Sequence, residues 1–188
     1  MKKKLKNSAG FSLVEMLCAV AVLMLLCVML NSALSVAMKT YFDLTAESET
    51  QLLLNSLTNA IAGELRYAYG VKGTENPTYN PYAPADNPTD TRSLNLKLQD
   101  GRVLVAGGPD GDKDLLPIEK NGRGGAYKNG DYQVDEMKIV YDESSACFTV
   151  NLKVSWKDSG ISAQTPEDGV VIRCLNPPEE SEEGEDTL

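Results

Sequence analysis

The sequence contains no histidine. Ser-His-Asp and Cys-His mechanisms use imidazole as the base, and the usual zinc sites use imidazole ligands, so the sequence excludes these chemistries. No other acid–base pair, activated nucleophile or metal-ligand cluster stands out among the residues present. We therefore predict that the protein is not an enzyme and that it uses no cofactor.

Basic residues are scarce, with 18 Lys and Arg against 27 Asp and Glu, which gives a net charge of -9. A phosphate backbone would be repelled, so we predict no nucleic-acid partner. The charges are also unevenly placed, because Lys2, Lys3, Lys4 and Lys6 precede the first apolar run, whereas six of the eight residues from 179 to 186 are acidic. The segment 177–188 is predicted to be a disordered acidic tail.

There are only four cysteines, and none belongs to a Cys-x-x-Cys motif. Cys18 and Cys27 lie in an apolar run and are interpreted as small hydrophobic residues. Cys147 and Cys174 lie in predicted strands, where residue alternation places Cys147 on a polar face and Cys174 on an apolar one. A disulfide between these two stays open, because spacing alone cannot test the geometry that a bridge needs.

Helix breakers are absent from the N-terminal third of the chain: Pro77 is the first proline, and Gly63 is the single glycine from Phe11 to Tyr69. This predicts one long helix over 11–69, roughly 90 Å in length. Residues 16–30 are all apolar and a weakly polar run continues to residue 38, so 11–38 is predicted to be a transmembrane segment. Over 39–69 apolar residues recur every three or four positions, which predicts an amphipathic helix with one face buried in a globular domain.

The apolar run carries one carboxylate near its start, Glu15, and no basic residue that could pair with it. A secretory signal peptide cut after Ser35-Val36-Ala37 leaves this glutamate unexplained. A plain signal anchor explains it only if the carboxylate reaches back to the membrane surface. Cleavage between Gly10 and Phe11 would instead create an α-amine four residues upstream, and the amine of a neighbouring copy could then pair with Glu15.

The residues Gly10-Phe11-Ser12-Leu13-Val14-Glu15, preceded by a short basic leader and followed by an apolar helix, resemble the class III signal of type IV prepilins and pseudopilins. The resemblance implies that residues 1–10 are a leader removed after Gly10 by prepilin peptidase, that Phe11 is N-methylated, and that Glu15 docks each subunit against the N-terminus of another. It implies three partners: the peptidase, other pilin or pseudopilin subunits, and an inner-membrane assembly platform. Residues 57–66 are also similar to the helix of minor pseudopilins of the J type and of competence pseudopilins.

The lysines of the leader place the N-terminus in the cytoplasm by the positive-inside rule, which leaves the rest of the chain outside. The chain is therefore expected to cross the cell membrane once, surrounded by lipid before assembly, and to enter an extracellular filament afterwards.

Residues 70–176 are predicted to form a loop-rich antiparallel β domain. A turn at Asp100-Gly101 between alternating apolar segments predicts a hairpin. We expect Gly70 to cap the helix and 70–93 to be a long surface connection, because four prolines lie among Asn, Thr and Tyr. Strands are predicted at 94–98, 103–105, 137–142, 147–156 and 170–175, with irregular chain over 107–135. The fold class is therefore α+β, and the resemblance implies a lollipop with the helix as its stem.

Asp110, Asp112 and Asp114 have the one-three-five spacing of a calcium loop. The rest of such a loop is missing, because Leu115 occupies the glycine position and Asn121 the position of the bidentate glutamate. A calcium site is a weak hypothesis here, and a solvated turn is the favoured interpretation.

Two hypotheses about function follow. The first is a structural subunit, a minor one in preference to a major one, of a type IV pilus, type II secretion or competence filament. The second is a membrane-anchored or secreted extracellular binding domain that uses the N-terminus only for export. The choice among the three filament systems stays open.

Overall fold

The computed structural model describes residues 12–81, 93–116, 132–157 and 159–176. The chain divides into two compact units at Leu44 and Thr45. One α-helix, α1 (Leu13–Arg66), belongs to both units, which confirms the prediction of a single long helix. The leader, the Gly10-Phe11 junction and the acidic tail lie outside the described residues.

In the first unit every described residue, from Ser12 to Leu44, is exposed. The helix is long enough and apolar enough here to cross a membrane, judged by length and composition. The side chains of this segment therefore contribute nothing to a core within the chain.

In the second unit α1 buries a single stripe of side chains, as its apolar spacing predicts. The stripe consists of Ala46, Thr50, Leu53, Leu54, Leu57, Ile61 and Leu65. From Leu53 onward these residues join the apolar residues of the strands in one hydrophobic core. The helix packs on antiparallel sheets, so the α+β fold class is confirmed.

The first sheet contains five antiparallel strands in the order of the chain. They are β1 (Tyr69–Lys72), β2 (Thr78–Asn80), β3 (Leu94–Gln99), β4 (Arg102–Ala106) and β5 (Lys113–Asp114). The predicted hairpin is confirmed as β3 and β4, and the positive φ angles of Asp100 (51°) and Gly101 (72°) are those of its two-residue turn. The prediction of an irregular connection over 70–93 was wrong for β1 and β2, and that of irregular chain over 107–135 was wrong for β5.

The second sheet contains β6 (Tyr132–Asp142), β7 (Cys147–Trp156), β8 (Ser162–Gln164) and β9 (Val170–Arg173). One edge of β7 pairs with β6 and the other edge pairs with β8 and β9 in succession. β6 begins five residues before its predicted start, because a bulge between Val134 and Glu136 interrupts the alternation that the prediction relied on. The predicted strand 147–156 is confirmed, and its alternate residues Phe148, Val150, Leu152 and Val154 are at most 2% exposed.

The helix ends at Arg66 and not at Gly70, which lies within β1, so the predicted glycine cap was wrong. The carbonyl groups at the end of the helix find partners from the far end of the chain. Leu175 N donates to Arg66 O at 2.9 Å, Asn176 Nδ2 to Tyr67 O at 3.3 Å, and Cys174 Sγ to Ala68 O at 3.2 Å. These contacts satisfy the acceptors that a glycine cap would otherwise satisfy.

Cys147 and Cys174 are both free thiols. Cys174 is 2% exposed within the core, whereas Cys147 is half-buried and alternates with the core-facing residues of β7. The two side chains therefore point to opposite faces of the sheet, which rules out the disulfide that the sequence left open.

Candidate functional site at the start of the long helix

The start of α1 is held by two hydrogen bonds to side chains, one accepted by the Glu15 carboxylate and one by the Ser12 hydroxyl. The backbone N of Ser12 donates to Glu15 Oε2 at 2.9 Å, and the backbone N of Val14 donates to Ser12 Oγ at 3.4 Å. Met16 N donates to Ser12 O at 3.1 Å, which is the first hydrogen bond of the helical ladder. This arrangement is a capping box, in which a serine and a glutamate three residues later satisfy donors that the helix leaves free.

The capping box is a role for Glu15 that the sequence analysis missed. The Ser-x-x-Glu spacing immediately before an apolar run was its signal. The carboxylate also lies in the first turn of the helix, where the positive end of the helix dipole favours a negative charge. Within the described residues Glu15 therefore has a backbone partner, and the neighbouring residues 13–38 contain neither Lys nor Arg.

Of the residues predicted to act in cleavage, methylation and docking, only Glu15 lies in the described part of the chain. Gly10 and Phe11 lie outside it, so cleavage after Gly10 and N-methylation of Phe11 stay predictions. Ser12 follows Phe11 directly in the sequence, and an amine created at Phe11 would therefore stand one residue before the capping box.

A continuous apolar surface follows the capping box. Nineteen large apolar side chains between Leu13 and Leu44 are exposed, against four in the rest of the described chain. Soluble monomers rarely leave contiguous apolar patches larger than a few hundred Å² in water. This half of α1 therefore requires lipid or other protein chains around it.

The hydroxyl groups that interrupt this surface are satisfied within the helix. Ser32 Oγ donates to Val28 O at 3.1 Å, Ser35 Oγ to Asn31 O at 3.0 Å, and Thr40 Oγ1 to Val36 O at 3.0 Å. A hydroxyl bonded to the carbonyl four residues earlier does not need water. These positions are therefore compatible with an apolar environment.

The three aspartates of the calcium hypothesis do not converge on one point. Asp110 Oδ2 accepts from Lys113 Nζ at 2.7 Å, Asp114 Oδ2 lies 3.6 Å from an Arg102 guanidinium nitrogen, and Asp112 pairs with Lys97. Within the described ranges there is no group of three or more Cys, Asp or Glu side chains that could hold a metal ion. The aspartates instead form three separate, partly exposed ion pairs of the kind that contributes little stability.

Comparison with known proteins gives one match, to the start of the chain. Residues 5–31 match the family model of the prokaryotic N-terminal methylation motif, which covers the second half of the leader, the capping box and the apolar run. No curated protein and no solved structure matched the chain. The motif indicates a structural subunit in preference to an enzyme, and with the apolar helix it indicates anchoring in a membrane. Residues 5–31 therefore carry a type IV prepilin-like signal, which supports a type IV pilin-like protein processed by prepilin peptidase.

Proposed function

We propose that the protein is a filament subunit, a minor pilin or pseudopilin, that assembles through the first half of α1. The observation that carries the proposal is the methylation motif at the start of a helix whose residues 12–44 are all exposed. In a filament the apolar helices of neighbouring copies would pack side by side and replace the lipid around one another. Assembly, and not catalysis, would then be the function of this surface.

The proposed docking step depends on charge. After cleavage between Gly10 and Phe11, the new α-amine would be a cation, and Glu15 is the single anion of residues 11–38. Between the packed apolar helices of a filament an unpaired charge would cost several kcal/mol, so an incoming amine and a resident carboxylate would stabilise each other. This pairing would fix the axial position of each incoming copy, because no second anion lies between residues 16 and 38.

The proposed partners follow from this sequence of events. Prepilin peptidase would remove residues 1–10 on the cytoplasmic side, where the lysines of the leader hold the N-terminus. An inner-membrane assembly platform would then move the subunit from lipid into the filament, with the second unit outside the membrane. A type IV pilus, a type II secretion system and a competence system all fit this description.

We propose a minor subunit in preference to a major one because the chain is strongly acidic. Six of the eight residues from 179 to 186 are acidic, and the whole chain carries a net charge of -9. Copies packed closely along a whole fibre would repel one another through these groups, whereas a few copies would not.

The test is the N-terminus and intact mass of the protein purified from its native membrane, in strains with and without prepilin peptidase. We expect a chain that begins at methylated Phe11 only when the peptidase is present. A chain that begins at Met38 would show ordinary secretion, and a chain that begins at Met1 in both strains would show a plain anchor. Either result would refute the proposal and favour an extracellular binding domain.

A further inference from the structure

The unbroken apolar run is too short to cross a bilayer alone. From Met16 to Leu30 it covers 15 residues, or about 21 Å along the axis of a helix, whereas the hydrocarbon core of a bilayer is about 30 Å thick. A spanning helix must therefore also place residues beyond Leu30 in the core. The alternative, a span over residues 11–30, puts the Glu15 carboxylate in hydrocarbon, which costs more than burying weakly polar groups.

Seven of the next eight residues, all except Asn31, suit an apolar environment. Leu34, Val36 and Met38 are between 51% and 67% exposed, and nothing in the first unit covers them. The hydroxyls of Ser32 and Ser35 are already bonded to helix carbonyls. A segment from Met16 to Met38 would be about 33 Å long, which fits the hydrocarbon core at a tilt of about 25°, close to the average for membrane helices.

A group of interfacial residues comes immediately after Met38. Lys39 is the first charged residue after Glu15. Tyr41 and Phe42 follow, 68% and 55% exposed, with their rings edge to face and their centroids 6.0 Å apart. Tyrosine, an aromatic side chain with a polar tip, concentrates at the membrane surface, and Phe42 contacts the Tyr41 ring. A lysine there can place its ammonium group among the lipid phosphates.

We propose that Lys39, Tyr41 and Phe42 form an interfacial anchor that binds the phospholipid headgroup layer at the outer face of the membrane. The membrane segment of the unassembled protein is then Met16–Met38, with Glu15 at the opposite surface. The inference depends on the proposed function only in requiring that α1 spans a bilayer before assembly.

The test measures the depth of single tryptophans in the full chain, reconstituted in vesicles of phosphatidylcholine and phosphatidylglycerol. The single native tryptophan is replaced (Trp156→Phe), and tryptophan is introduced at Leu34, Tyr41 or Ser48, all of which are exposed. Lipids brominated deep in the acyl chain should quench the Leu34→Trp protein most, and lipids brominated near the headgroup should quench the Tyr41→Trp protein most. The Ser48→Trp protein should show no quenching. Equal, weak quenching of Leu34→Trp and Ser48→Trp would place both outside the core and overturn the inferred boundary.

The anchoring role has its own test in the Leu34→Trp protein. Replacing both aromatic residues (Tyr41→Ala with Phe42→Ala) should change the depth of position 34. The measurement is the ratio of its quenching by deep bromines to its quenching by shallow bromines. The control, Tyr67→Ala, removes an equally exposed tyrosine, 58% exposed, from the second unit and should cause no shift. An unchanged depth in the double variant would refute the anchor. Failure of peptidase processing in cells would refute the proposed function without changing these quenching results, so the two failures are distinguishable.

Discussion

The Glu15 carboxylate has two roles that substitution can separate: it caps the start of α1, and in the proposed function it pairs with the amine of an incoming copy. Glu15→Gln keeps an oxygen that can accept the Ser12 N–H, because glutamine also completes a capping box, but it removes the charge. Glu15→Ala removes both. Ser12→Ala removes the hydroxyl that accepts from Val14 N at 3.4 Å and leaves the charge in place.

The two roles differ in expected magnitude. Loss of a serine cap costs about 1 kcal/mol, or roughly fivefold in the stability of the first turn. Leaving one member of a buried ion pair without its partner costs about 3–5 kcal/mol, which corresponds to a hundredfold or more in the docking equilibrium. If docking depends on charge, Glu15→Gln should fail to assemble almost as completely as Glu15→Ala, whereas Ser12→Ala should assemble with a modest loss.

The assay compares the share of each variant in sheared filaments with the share left in the membrane fraction. The N-terminal mass of each variant serves as the control, because a docking defect should leave cleavage after Gly10 intact. Assembly of Glu15→Gln at the level of the unmodified protein would refute the charge argument and leave capping as the role of the carboxylate.

Three further predictions concern the second unit, all checked by unfolding the full chain in detergent. Gly169→Ala should lower the melting temperature more than Gly160→Ala: both glycines have φ near +74°, but a Cβ on Gly169 would lie 2.1 Å from Asn151 Oδ1, whereas one on Gly160 meets nothing. Equal losses of melting temperature in the two variants would show that the neighbouring side chains move and relieve the collision. Ile61→Ala, at a side chain that is 0% exposed, should lower the free energy of unfolding by about 2–5 kcal/mol; a loss under about 1 kcal/mol would contradict the core described above. Burial is the larger cause that raises the pKa of Tyr79 above its ordinary value, and the Glu64 carboxylate is the second. The unfolded chain then releases this proton at a lower pH than the folded chain, so the contribution of Tyr79 to stability should be constant below about pH 10 and fall as the pH rises further. Tyr79→Phe should flatten that fall, and an unchanged slope would refute the assignment.

Features of the fold that depend on neighbouring residues were predictable from the sequence. The long helix follows from the absence of proline and from apolar residues that recur three and four positions apart. The β3–β4 hairpin follows from the turn residues Asp100-Gly101. In strand β7 the alternation of apolar and polar residues in the sequence matches an alternation of buried and half-buried residues in the fold. In each case the pattern in the sequence and the element in the structure occupy the same segment, so the prediction needed no knowledge of distant contacts.

Features that depend on distant residues were not predictable. Strands β1 and β2 lie in a proline-containing segment with weak strand propensity, and the loop between them is held by Tyr141 N donating to Thr74 O and Asn76 N donating to Ile139 O. The end of the helix at Arg66 is fixed by a residue more than a hundred positions away, Leu175. Judged from neighbouring residues alone, Gly70 is the strongest helix cap in the region. A hydrogen-bond partner at the other end of the chain cannot be predicted from those residues.

The capping box also bears on how one carboxylate can serve both the monomer and the filament. Glu15 uses Oε2 to accept from Ser12 N, and an ionised carboxylate has about four acceptor sites on its two oxygens. An incoming amine could therefore bind the other oxygen without breaking the cap. Because the cap holds the carboxylate at a fixed place on the first turn, the docking partner would meet a positioned anion and lose less side-chain entropy on binding. Ser12→Ala keeps the backbone N–H that Glu15 accepts and loses only the bond from Val14 N, so it should weaken docking modestly, through fraying of the first turn. A variant that restores a capping hydroxyl, Ser12→Thr, should recover most of the loss.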